Sequence, residues 1–269
     1  MDTRYWGPSG WQLLHLITFA YDQSRKESYK QLFSLLEYIL PCKYCRQSTE
    51  IFIKEIPPTI TSAKSTQEWL YKFHNRVNMK LRIQQEVGDI SSGSTDSGSP
   101  YQDDPSFSEI KKHYMEILNK KPTKMPGLDF LSAIIYNFPI EKSEQTETKK
   151  SAYIKFFNLL GDVFPFKPIR DSIKSFLEKS PIENHIDSRK SLIKWYYNML
   201  KEVCQSNDID CISYKSLCMT CAYYKSSCSK KTYRGKTCRT IHKGPSTFRT
   251  KVRSKDPSKI YEFVHNRLL

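Results

Sequence analysis

Cys42 and Cys45 stand three residues apart in the run Leu40-Pro41-Cys42-Lys43-Tyr44-Cys45, and two thiols at that spacing on one helical face can reach each other to form a disulfide. Proline suits the first turn of a helix, where its missing N–H has no intrahelical partner. Pro41 therefore predicts a helix start that carries both sulfurs at its N-terminal end. The free amides and positive dipole end there, with Lys43 beside them, favour a thiolate, the form that attacks disulfides and other electrophiles. The same spacing supplies half of many zinc sites and the redox pair of thioredoxin-like folds. A thioredoxin-like arrangement would need a strand just before the dithiol. Instead Leu32, Phe33, Leu36, Ile39 and Leu40 repeat with a helical period, so the pair is expected between helices.

Two flanking motifs must position it. Upstream, Trp11 and His15 are four residues apart, so on a helix they lie on one side, where an indole face and an imidazole edge could bracket a flat heteroaromatic ring. Ordinary core packing is the competing reading of Trp11. Downstream, Trp69, Phe73, Val77 and Leu81 repeat every four residues and predict a helix face turned to a bundle interior. His74 and Asn78 form a parallel polar row at its margin. Such groups need hydrogen-bond partners when covered, which a cofactor could supply; a solvated helix edge is the plain alternative, also for Asn75.

Trp11-x-x-x-His15, Cys42-x-x-Cys45 and Trp69 followed by His74-Asn75-x-Val77-Asn78 together resemble the Erv/ALR flavin-dependent sulfhydryl oxidases, most of all those encoded by large DNA viruses. The resemblance covers about the first third of the chain. It implies an all-α fold, a four-helix bundle plus a fifth short helix, with FAD inserted between helix ends. It also implies Cys45 as the sulfur stacked near the flavin and Cys42 as the one that exchanges with an incoming thiol. Gly7, Trp11, His15, Trp69, His74, Asn75, Val77, Asn78 and Lys80 would border the cofactor. Where many members continue with Leu-Gly-Lys-Pro, this chain has Leu81-Arg82-Ile83-Gln84, so the basic contact to the FAD phosphates could fall to Lys80 or Arg82. The extra cysteine pair that staples many cellular members is absent, since only Cys42 and Cys45 occur before Asp104. Packing, flavin binding and a homodimer interface would have to hold the module together.

At 269 residues the chain has room for two domains. The polar run from Gly88 through Ser106, with Ser91-Ser92-Gly93-Ser94-Thr95-Asp96-Ser97-Gly98-Ser99-Pro100 inside it, reads as a flexible linker. The expected division is an oxidase-like module at 1–88, a linker at 89–105, a helical domain of no recognised family at 106–203 and a basic cysteine-rich tail at 204–269. Helices are expected over 107–119, 128–137, 151–164, 169–177 and 188–203, punctuated by Pro122, Pro126, Pro139, Pro165, Pro168 and Pro181. Tyr153, Phe156, Phe157, Trp195, Tyr196 and Tyr197 supply more aromatic surface than one face of a small bundle needs, for core or for an interface.

The tail holds six of the eight cysteines, Cys204, Cys211, Cys218, Cys221, Cys228 and Cys238, and from Lys201 onward fifteen Lys and Arg face five Asp and Glu, +10 of the formal +15. Two readings of its cysteines stand side by side. Cys218-Met219-Thr220-Cys221 fits a shuttle disulfide on a mobile basic arm, the device by which such oxidases pass electrons from substrate to Cys42. Alternatively, Cys218, Cys221, Cys228 and Cys238 form a four-sulfur zinc knuckle. Redox or structural disulfides, including a Cys204 and Cys211 pair, are favoured, because a thiol oxidase would threaten neighbouring zinc thiolates; no metal site is assigned.

The excess of basic charge permits association with acidic partners through counterion release, but no nucleic-acid-binding fold motif accompanies it, so no specific nucleic-acid partner is expected. Neither a signal peptide nor an apolar run of ~18 residues is visible. By resemblance to viral members the expected setting is the host cytoplasm or viral factory, and the virion. The function expected is an FAD-linked thiol oxidase that passes electrons from thiol-containing substrate proteins through Cys42 and Cys45 to FAD and then to O2, forming H2O2. The alternative is a non-catalytic scaffold with a zinc-bearing basic tail.

Overall fold

The computed structural model describes residues 1–92 and 104–225, with residues 83–92 described by backbone alone. The described residues are helical and contain no strand, only an isolated parallel bridge between Lys124 and Asp210. In the first part of the chain α1 spans Thr3–Phe19, α2 Lys26–Ser34, α3 Leu36–Ile39, α4 Lys43–Glu55 and α5 Ala63–Ser92. The second part contributes α6 at Phe107–Leu118, α7 at Leu128–Tyr136, α8 at Glu147–Val163, α9 at Lys167–Lys179, α10 at Arg189–Asn207 and α11 at Tyr214–Tyr223.

Side-chain acceptors start many of these helices by satisfying amides that lack an intrahelical partner. Asp2 accepts from the Arg4 amide, Thr146 from Lys149, Ser188 from Ser191 and Ser213 from Ser216. Ser106 and Glu109 form a reciprocal capping box at the head of α6. Pro168 lies in the first turn of α9, where a missing N–H costs nothing.

Pro41 behaves differently from the sequence expectation. It lies outside α4, and Cys42, in extended conformation with φ −130 and ψ 124, is the N-cap itself. A thiol can accept from the Cys45 amide as a serine hydroxyl would, and that bond sets the helix start at Lys43, two residues past the proline.

The expected linker start at residue 89 falls inside α5, which runs on to Ser92. One glycine costs a helix only about 1 kcal/mol relative to alanine, so Gly88 does not stop a helix already propagating. Residues 93–103 lie outside the described residues.

The two parts share one core. α7 packs along α1, while α8 covers α2 and α3. Phe130 of α7 reaches the ring of Trp6 at 5.8 Å and presses on Gly10, where an added Cβ would meet its ring at 3.0 Å. Gly127, at φ +76, turns the chain into α7 directly against Leu13. Residues 106–203 thus pack as a second layer on the first module and also bury aromatics among their own helices. Farther out, Phe156, Phe157, Trp195 and Tyr196 meet edge to face and are buried, which accounts for the surplus of aromatics as interior packing between α8, α9 and α10.

Candidate active site

The dithiol heads α4, and α5 reaches it through Lys80. The Sγ of Cys42 accepts from the Cys45 amide at 3.3 Å, so the electropositive end of α4 bears on Cys42. Cys42 is 1% exposed and Cys45 half-buried, and both are thiols rather than a disulfide. Its hydrogen bond with Cys42 pushes the Cys45 thiol well above the ordinary range, burial adds to that, and Lys80 and the amino terminus pull part of the way back. Lys80 reaches across from α5 to α4, where its Nζ donates to Ser48 Oγ.

α1 and α5 supply the rings. Trp11 lies flat on His74, centroids 3.9 Å apart and planes 13° apart. His15 Nε2 lies 3.0 Å from His74 Nδ1. His15 is fully buried, its ring stacked at 4.8 Å on Tyr114 of α6. The four-residue spacing of Trp11 and His15 does bring them to one side of α1, but their centroids are 6.3 Å apart, and His74 occupies the space against the indole.

The remaining expected residues divide between two stripes of α5. Trp69 and Phe73 point into the core, and Trp69 Nε1 donates to the Ile56 carbonyl at 3.0 Å while its ring meets Phe33. Trp69 thus holds the turn between α4 and α5. His74, Val77 and Asn78 are half-buried, as is Asn75. Asn78 and Arg82 both donate to Asp104, at 2.9 Å for Asn78 and at 3.0 and 2.9 Å for Arg82. Lys80 faces Cys45, whereas Arg82 turns away from it toward α6.

Trp11, Tyr44, Cys45 and Val77 are only partly buried, and each packs against the core, while Lys80 lies near Cys45. A Cβ on Gly7 would meet no atom of the described residues within 4 Å. His15 Nδ1 is buried without a partner.

The cysteines at 218 and 221 are placed otherwise than on a free arm. α11 docks on α1 and α7, with Cys221 and Leu217 buried. Tyr136 donates to Cys218 Sγ at 2.8 Å, Tyr224 stacks on Tyr5 at 4.3 Å, and the Asp2 amide donates to the Tyr224 carbonyl at 3.0 Å. Burial pushes the Cys221 thiol up to about 12. A Leu217 and Tyr5 interface is apolar enough to hold the helix, a pattern hidden in the basic composition around it. The amino group of Met1 donates to the Pro41 carbonyl at 3.3 Å, so residues 1–2 lie between this dithiol and Cys42. Cys228 and Cys238 lie outside the described residues, and among the described residues no group of three or more His, Cys, Asp or Glu could hold a metal ion.

Sequence reasoning missed Asp104, Tyr114 and Ser48. The Ser-x-x-Glu box at Ser106 marks the helix start beside Asp104, but nothing in the local pattern says where that helix docks. Among the described residues no helix is long and apolar enough to cross a membrane.

Comparison with known proteins places this geometry. Residues 8–95 match the Erv1 / Alr family model. The FAD-linked sulfhydryl oxidase of African swine fever virus (Kenyan pig isolate) is 36% identical over 81 residues, 29% of this chain and 68% of the viral protein. The mitochondrial FAD-linked sulfhydryl oxidase ERV1 of Saccharomyces cerevisiae is 35% identical over 86 residues, 30% of this chain and 45% of the yeast protein. The FAD-linked sulfhydryl oxidase ERV1 of Arabidopsis thaliana is 27% identical over 79 residues, 28% of this chain and 41% of the plant protein. The chain thus spans under half the length of the two cellular relatives. No solved structure matches it. With the dithiol on α4 and the Trp11, His15 and His74 rings on α1 and α5 all inside the matched span, the chain belongs to the Erv1 / Alr family.

Proposed function

We propose that this chain is an FAD-linked thiol oxidase that makes disulfides in substrate proteins, with Cys42 and Cys45 as its redox pair. The observation that carries the reading is the Cys42 and Cys45 pair at the head of α4, with Lys80 near Cys45, inside the span that matches the Erv1 / Alr family model. Trp11, His74, Val77 and Asn78 would hold the flavin nucleotide, Gly7 leaving room for it, and Lys80 would answer its negative charge. Bound FAD would accept an electron pair and deliver it to O2, giving H2O2.

The chain's own residues carry the thiol chemistry. In the oxidised pair, a substrate thiolate attacks Cys42 Sγ, forming a mixed disulfide and releasing Cys45 as thiolate beside Lys80. A second substrate thiolate attacks the sulfur of the first, closes the substrate disulfide and expels Cys42, whose thiolate is received by the Cys45 amide. Two thiols lose two electrons and two protons. Cys42 is closed off by neighbours that include Met1 and Pro41, so the first attack requires that cover to move. Cys218 and Cys221 would relay electrons from substrate once α11 releases them. The second layer of helices covers α1 to α3, and a homodimer would bury further area. Resemblance to viral members supports action in the host cytoplasm.

The test is purification with FAD followed by oxygen uptake on a small dithiol. Cys42→Ser and Cys45→Ser should each lose turnover while still binding FAD; normal uptake by Cys45→Ser would refute the assignment.

A further inference from the structure

Asp104 lies near the end of the polar run, and it is bound to α5 across 22 and 26 residues of chain by three charge-assisted or amide hydrogen bonds from Arg82 and Asn78. The attachment continues along α6. Tyr71 donates to the Pro105 carbonyl at 3.0 Å, Phe107 packs on Phe19 and Tyr71, and Tyr114 stacks on His15, which bonds His74. Each polar member of the row His74, Asn78 and Arg82 is therefore held from the second layer, two directly by Asp104 and one through His15 and Tyr114.

We propose that Asp104 is a positioning residue for the flavin nucleotide, fastening α6 as an outer wall on the α1 and α5 face and pre-setting Asn78 and His74. The proposal rests on the FAD reading above. Arg82 is engaged by the Asp104 carboxylate, which would repel a diphosphate placed on the same guanidinium, so Lys80 rather than Arg82 is left as the phosphate contact. Rigid groups bind without further ordering cost, so loosening the wall shows as faster loss of cofactor.

The experiment uses the full-length, FAD-loaded protein and follows FAD release after dilution by recovery of free-flavin fluorescence, with visible circular dichroism of the bound flavin as a second readout. Asp104→Asn and Asp104→Ala should release FAD about tenfold faster or more, with an altered visible spectrum, and Asp104→Glu should restore most of the retention. Tyr71→Phe, which removes one hydroxyl from the same attachment, should fall between. If Asp104→Ala does not fold, Asp104→Asn and Tyr71→Phe carry the test. Release at the wild-type rate with an unchanged spectrum, even alongside a lower melting temperature, would show a merely structural strap and overturn the proposal, as would slower release. A wild-type protein that never quenches FAD fluorescence would remove the FAD reading together with this one.

Discussion

His15 and His74, 59 residues apart in the chain, meet through one hydrogen bond of 3.0 Å, and Trp11 covers the second ring. Two imidazolium ions could not share that bond. Burial first, then the neighbouring imidazoles of His74 and His113, bring His15 down to about 3, and burial brings His74 to about 4 even though Asp104 pulls the other way. Both are neutral in the folded state, while an unfolded histidine takes a proton near 6.5. The unfolded chain then binds more protons, so their contribution to stability is complete above 6.5 and is lost as pH falls from there to about 4 for His74 and about 3 for His15. Denaturant midpoints measured across that range should fall with pH. In His74→Asn, which removes one of the two groups, the fall should be shallower.

Lys80 is the side chain whose charge most lowers the otherwise raised Cys45 thiol. Lys80→Met should push that thiol further up, so less Cys45 thiolate is present at neutral pH and the alkylation rate of Cys45 in the reduced protein moves to higher pH. Each pK unit is a tenfold change in thiolate fraction, so at neutral pH a loss of about three- to tenfold in thiol turnover is expected. An unchanged alkylation profile would mean that Lys80 serves α4 packing through Ser48 alone.

Gly7 has open space around its missing side chain. Alanine is the better helix former by about 1 kcal/mol, so Gly7→Ala should raise the melting temperature of the flavin-free protein. The same methyl group should weaken FAD binding if the nucleotide passes over α1 there. Equilibrium titration of FAD fluorescence against both proteins separates the two effects.

Gly127 is the reverse case. Its φ of +76 disfavours any side chain, and a Cβ would come within 2.5 Å of Leu13 Cδ2. Gly127→Ala combines backbone strain with overpacking and should cost about 2–4 kcal/mol, read as a lower denaturant midpoint at unchanged slope. Because Leu13 belongs to α1, the loss should spread to FAD retention as well.

The sequence alone determined the dithiol pair and most of the helices. Covalent spacing places Cys42 beside Cys45, the period of Trp69, Phe73 and Val77 orients α5, and acceptors such as Ser106, Thr146 and Ser188 announce helix starts; all are local, depending on residues within a turn or two. The tertiary structure decided what lies far apart in the chain. Whether Arg82 meets Asp104, whether His15 is sealed by Tyr114, and whether the 218 to 221 dithiol is docked or free depend on which apolar faces find each other once buried, and burial is non-directional, fixed by the shape of the whole core rather than by any short run of residues.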